Sequence, residues 1–173
     1  MKNIKKIFAV LLSVVISVGV LSTIPAATTY AANKTESKIP SLQTGDNKAT
    51  LALEAFNAIN TRRAKKGLSS YVWSDELATA ANKRAEEISK SFSHTRPDGR
   101  SFESVLTDSK VIFLSLGENI GYGFDDGNAM VKGWLTSGLH RELIDSKDYK
   151  YCAVGVYIDD EGTAYYTAEF MYK

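Results

Sequence analysis

The chain has 173 residues, 44% of them hydrophobic and 24% charged, with a formal net charge of +1. That composition excludes collagen-like, wholly disordered and polytopic membrane classes, and the near-neutral balance gives no electrostatic basis for gripping nucleic acid. One cysteine excludes an internal disulfide framework and every multi-cysteine zinc motif, and two histidines limit any imidazole site to those two.

Residues 1–31 read as a secretory signal peptide. Three lysines fall within Met1 to Lys6, and no charge follows until Lys34. Between them runs the apolar stretch Ile7 to Leu21, then small residues up to Ala31-Ala32, where cleavage is expected. The uncharged stretch is long enough to span a bilayer, but Pro25 and the alanine-rich exit favour cleavage over a retained anchor. No cysteine is available there for lipid attachment. Removal leaves 18 basic residues against 20 acidic ones, a net charge of −2, on a mature chain expected to be exported, monomeric and free of any stable membrane span. Residues 32–46, rich in Lys, Thr, Ser, Gly and Asn, read as a flexible spacer, and residues 47–173 as one domain.

Asp46 or Asn47 can cap a first helix running to about Lys66 with Gly67 beyond its end. Ala49, Ala52, Leu53, Phe56 and Ile59 give it an apolar stripe. Ser74 opens a second helix to about Ser91, with Leu77, Ala80, Ala81, Ala85 and Ile88 facing inward. Arg96-Pro97-Asp98-Gly99 signals a turn, and a short helix is expected at Phe102 to Leu106. Val111 to Leu116 is β-prone. A further helix is expected from Asp125 or Asp126 towards Ser137, and one helical turn from His140 to Ile144. The last quarter changes to period two, with Cys152 to Ile158 and Ala164 to Phe170 flanking the turn Asp159 to Gly162, a hairpin pattern apolar on both faces. Helices first and a hairpin last imply an α+β fold with a small antiparallel sheet between helices.

No phosphate loop, serine nucleophile elbow or zinc-helix motif occurs. Cys152 falls mid-strand, the place of a packed small hydrophobe, and Phe113 and the hairpin tyrosines read as core and sheet cover. Polar candidates lie instead in segments without clear periodicity: His94 in Phe92 to Arg100, Glu118 in Gly117-Glu118-Asn119-Ile120, and His140 in Trp134 to Arg141. Neutral imidazole suits zinc and similar ions, with a carboxylate as a third donor or as a ring orienter, while a histidine taken singly more often serves structure.

These segments, in this order, resemble the CAP superfamily of cysteine-rich secretory, antigen 5 and pathogenesis-related 1 proteins, closest to its bacterial, disulfide-free, SCP-like branch. The resemblance runs from about Leu51 to Phe170. It includes Asn60, Arg63, Leu77 to Ala85, Phe92 to Gly99, Gly117 to Ile120, Trp134, His140-Arg141, Gly155 and Tyr165 to Phe170. It implies a three-layer α-β-α sandwich with an open cleft in which His94, Glu118 and His140 hold a divalent metal, zinc foremost. The chain departs from the family at Ser137, where many members carry a second Glu, and at Ser137-Gly138-Leu139-His140, where bacterial members often have Ser-Pro-Gly-His. In the hairpin, Glu169 is a further candidate if strand alternation turns it to the cleft.

Three functions follow as alternatives. The first is a non-catalytic module, secreted or associated with the cell wall, that binds an envelope partner or small ligand. The second is a metal-dependent hydrolase or protease, with a variant using Ser137 as nucleophile, His140 as base and Glu118 as orienter. The third is a lipid- or sterol-binding module, for which no apolar groove is legible.

Overall fold

The computed structural model describes residues 10–17 and 47–173. The rest of the expected leader and the spacer at 32–46 lie outside the described residues.

Helix α1 (Asn47–Lys65) ends as its composition directs. Gly67 takes φ +67°, its N–H donates to Ala64 O, and Leu68 N–H donates to Arg63 O, closing the last turn's orphan carbonyls. Its buried face is Leu51, Ala52, Ala55, Phe56, Ile59 and Arg63. The stripe is thus turned from the expected one: Ala49 and Leu53 are half-buried and Leu51 and Ala55 take their places. Helix α2 (Asp75–Lys90) is capped by Ser74 Oγ, which accepts from Leu77 N, and buries all five expected residues together with Arg84 and Glu87. The short helix α3 spans Ser104–Asp108, two residues later than the sequence suggests. Helix α4 (Gly127–Thr136) is capped by Asp126 Oδ1 on Ala129 N, and α5 (Gly138–Asp145) is longer than the single turn expected.

Strand β1 is Val10–Ser17, β2 is Val72–Trp73, β3 is Ser115–Tyr122, β4 is Tyr151–Ile158 and β5 is Ala164–Tyr172. They form one sheet in the order β1-β3-β5-β4-β2, antiparallel throughout except for the short β2 alongside β4. The hairpin is as expected, its turn closed by Asp159 Oδ1, which accepts from Glu161 N and Thr163 N, with Gly162 at φ +81°. The β-prone Val111 to Leu114 stays outside the sheet, and the strand is formed by the Gly-Glu-Asn segment itself.

Strand alternation splits the core in two. Cys152, Val154, Val156, Tyr166, Ala168 and Phe170 pack against α1, α4 and α5 with Trp134 and Tyr71. Leu116, Ala153 and Met171 face the other way, onto Leu77, Ala80, Phe102 and Leu106 of the α2–α3 layer. Helices on both faces of a sheet make the three-layer α-β-α sandwich. Glycine sets one interlayer distance: a Cβ at Gly155 would collide with the backbone of Ala81 and Asn82, so α2 lies directly on β4.

Candidate functional site

Glu118 stands in the middle of β3, not in an irregular segment, and its side chain is fully buried. Its partner directly across on β5 is Glu169. Opposed residues share a face, so alternation turns both carboxyls to the α2 side. Arg84, also fully buried, reaches from α2 and grips Glu118 with two donors, Nε to Oε2 at 2.8 Å and Nη2 to Oε1 at 3.2 Å. The same guanidinium donates to Glu87 Oε2 at 2.9 Å and to Ser93 O at 2.8 Å. Arg96 closes on Glu87 from the following loop, at 2.7 Å through Nη2, and extends to Ser104 Oγ and Asp108. Glu118, Arg84, Glu87 and Arg96 therefore alternate in sign through the interior, which a low-dielectric setting requires of buried charge. Burial pushes the Glu87 carboxyl up, but hydrogen bonds from Arg96 and Arg84 outweigh it and hold the group below the ordinary carboxylate range.

That network fixes the segment carrying His94. Its Nδ1 lies 2.7 Å from Glu118 Oε1, and its ring meets Phe102 at 6.2 Å in an edge-to-face arrangement. A carboxylate accepts and does not donate, so the Nδ1–H donates, and in the neutral ring the lone pair is then on Nε2. Among the described residues Nε2 is buried without a hydrogen-bond partner, as is Oε2 of Glu103. Burial first, and then the neighbouring Glu118 charge, push the Glu169 carboxyl well above its ordinary range.

His140 comes to the same strand from the other side. It is buried on α5, and its backbone carbonyl accepts from Asn119 Nδ2 at 3.0 Å. Asn119 follows Glu118 in β3, so the two histidine-bearing segments meet successive residues from opposite faces of the sheet. Ser137 ends α4 and opens α5 without a side-chain capping bond. Cys152 packs in the α1–α4–α5 core, where burial pushes its thiol far up and keeps it protonated.

Against these positions the residues expected to hold a metal divide. His94 offers an oriented nitrogen. Glu118 has both oxygens committed, to Arg84 and to His94, and stands as the group that orients the imidazole. Among the described residues no three His, Cys, Asp or Glu side chains are grouped to hold an ion. As folded, the donor set is that of an oriented imidazole and does not fit an assembled metal centre. Arg84, Glu87, Arg96 and Glu103 were not among the residues singled out from the sequence. Arg84 left a signal: it falls inside the apolar stripe of α2, between Ala81 and Ala85, where a solvated arginine does not belong.

The model of the CAP, cysteine-rich secretory protein, family matches residues 56–170. The chain belongs to the CAP family. It is 33% identical over 138 residues to a protein of Bacillus subtilis (strain 168) described as an uncharacterized membrane protein, the match spanning 79% of this chain and 37% of that one. An extracellular SCP-domain protein from Bacillus anthracis superimposes with a TM-score of 0.65 at 27% identity, over 73% of this chain and 41% of the other. An outer surface protein from Borrelia burgdorferi shares the fold, with a TM-score of 0.63 at 19% identity, over 68% of this chain and 89% of that one. The chain thus spans about two-fifths of the length of the two Bacillus relatives. Among the described residues no helix is long and apolar enough to cross a membrane.

Proposed function

We propose that this CAP protein works outside the cytoplasm as a non-enzymatic binding module of the medium or cell envelope, and that it meets its ligand at His94. One observation carries the reading: an imidazole locked through Nδ1 to a buried, doubly gripped carboxylate, with Nε2 unpartnered. Holding a carboxylate, two arginines and a second acid in the interior solely to aim one ring is a large desolvation cost for a side chain without a task. The charged leader-like N-terminus and the extracellular Bacillus anthracis relative support export. The burial of Cys152, the chain's single thiol, in the opposite layer leaves His94 no thiol nucleophile to activate.

A second reading starts from the same unpartnered Nε2: a divalent ion, zinc first, taken by His94 with Glu118 behind the ring, and closed by His140 only if that residue comes round the β3 edge to the His94 side, which the folded arrangement does not supply. His94 would donate through Nε2, and Glu118 would fix the tautomer.

The tests separate these readings. Casein and small-ester assays on the purified chain are expected to show background rates with and without chelator; turnover abolished by His94→Ala overturns the non-enzymatic reading. Calorimetric zinc titration of the wild type, His94→Ala and His140→Ala decides the second. Heat lost in both variants carries the metal reading, and equal heats in all three remove it. Mass spectrometry of chain recovered from culture medium or the cell envelope is expected to give an N-terminus at Ala32 or Asn33; intact residues 1–31 overturn cleavage, and a chain confined to the cytoplasm overturns the export reading.

A further inference from the structure

We infer that the outer edge of β3 is an acceptor for an extended apolar polypeptide strand, added antiparallel beside His94 and Glu118. The inference goes beyond the imidazole reading and does not depend on it, because strand addition uses backbone groups.

The sheet has two edges, and they are built differently. On one, β4 is covered by the two-residue parallel β2, a short edge that offers little to a further chain. On the other, β3 runs for eight residues, Ser-Leu-Gly-Glu-Asn-Ile-Gly-Tyr, with one-to-one register to β5 from end to end. It carries no Lys, no Pro and no bulge, three of the devices that stop an edge from recruiting another strand, and its one charge, Glu118, is turned inward and held by Arg84. The structure shows that edge occupied. Val10–Ser17, from the apolar part of the leader, pairs antiparallel along the whole of β3, Val10 opposite Tyr122 and Ser17 opposite Ser115. Val14 falls opposite Glu118 and Ser13 opposite Asn119, so the added strand passes the two residues that the histidine segments contact, with α5 alongside. Exposed Ile112 and Leu114 lie on the segment entering β3, at the end where Ser17 pairs. They extend the apolar track beyond the pairing.

Once a leader is removed, alternate residues of β3 turn unpaired N–H and C=O groups outward along that edge, which makes it a template for another strand. An incoming strand of the same chemistry, apolar and extended, pairs them again. The occupant is therefore a polypeptide, not a lipid. Ladder bonds supply its affinity, and the leader sequence Val-Leu-Leu-Ser-Val-Val-Ile-Ser is the template for its composition.

Hydrogen exchange read by mass spectrometry tests this on the full chain. Leu12→Pro combined with Val14→Pro removes two ladder donors from the added strand. Exchange in Ser115–Tyr122 is expected to accelerate about tenfold or more while β4 stays protected. A synthetic peptide of the Val10–Ser17 sequence with lysine tails is expected to restore protection, and a peptide N-methylated at alternate residues is not. Unchanged β3 exchange in the variant, or failure of the plain peptide, or equal protection by the methylated one, overturns the inference. If β4 loses protection as well, a Ser17→Cys, Ser115→Cys pair in the otherwise native chain decides the matter, since residues directly opposite in a ladder sit close enough to cross-link. A disulfide supports the inference and its absence overturns it. His94→Ala is expected to leave peptide protection intact, which separates this surface from the imidazole.

Discussion

Glu169 and Arg84 are both fully buried ionisable side chains, and both can be tested singly. Glu169 is fully buried directly across from Glu118, and burial followed by the Glu118 charge pushes its proton affinity up. An unfolded glutamate titrates near 4.3. The folded chain therefore binds more protons than the unfolded one above that value, and its stability falls as pH rises from the unfolded pKa towards the raised folded one. Glu169→Gln keeps the shape and has no proton to lose. Its melting temperature is expected to exceed that of the wild type at about pH 8 by an amount equivalent to roughly 1–3 kcal/mol, with the gap closing towards about pH 4. A gap that widens on acidification would show the opposite sign and contradict the assignment. Arg84→Met leaves Glu118 and Glu87 buried with a partner missing, and urea unfolding is expected to show a loss of about 3–5 kcal/mol. Arg84→Lys keeps the charge but not the two-pronged grip and should fall between. A loss below about 1 kcal/mol in the Met variant would mean that water already reaches these carboxylates.

Element packing turns on Gly155. The α2 backbone at Ala81 and Asn82 occupies the volume where any Cβ at 155 would go, and backbone cannot swing aside as a side chain can. Gly155→Ala is expected to lift α2 from β4 and cost about 1–3 kcal/mol, with exchange rising in α2 before α1. Equal exchange in both helices would place the strain elsewhere. At this scale the sequence was a good guide wherever the determinant was local. Ser74 and Asp126 cap where side-chain oxygens reach free N–H groups, Gly67 and Gly162 turn where φ is positive, and the hairpin follows its period of two. It misled where tertiary contact decides. Val111 to Leu114 has strand propensity but lies outside the sheet, with Val111 N–H turned back to Leu106 O and Leu114 N–H reaching only the end of β5 at Tyr172 O, whereas Gly117 to Gly121, poor in propensity, becomes strand because β5 lies beside it. The expected site was legible in its types and not in its geometry. No spacing could say that His94 and His140 approach β3 from opposite faces, or that Glu118 would be spoken for by an arginine. Glu169 is the reverse case: alternation allowed either face, and pairing opposite Glu118 chose the interior.

Across the whole molecule, one cation on the far side from His94 joins segments that the sheet alone does not hold. Arg63, near the end of α1, is buried with backbone carbonyls as its hydrogen-bond acceptors. It donates through Nε to Ser69 O at 2.7 Å, and through Nη1 to Ile144 O at 2.8 Å and Ser146 O at 2.7 Å. Its guanidinium also lies 3.6 Å from the Tyr71 ring centroid, and Tyr71 Oη in turn donates to Leu143 O at 2.7 Å. The end of α1, the loop into β2 and the last turn of α5 thus share one donor, which satisfies carbonyls that the end of α5 leaves open. Neutral acceptors bind a guanidinium by direction more than by charge, so geometry and not charge should govern the outcome of substitution. Arg63→Lys, with a single ammonium in place of a planar fork, is expected to lose nearly as much stability as Arg63→Met, about 3 kcal/mol or more in each. If charge were the governing term, Lys would recover most of the loss. Because the three segments contact both α1 and the β4 edge of the sheet, the loss should appear as a lower urea midpoint at unchanged slope, the whole domain unfolding together. A reduced slope, with α5 exchanging while the sheet stays closed, would instead show that α5 and the His140 it carries open as a separate unit.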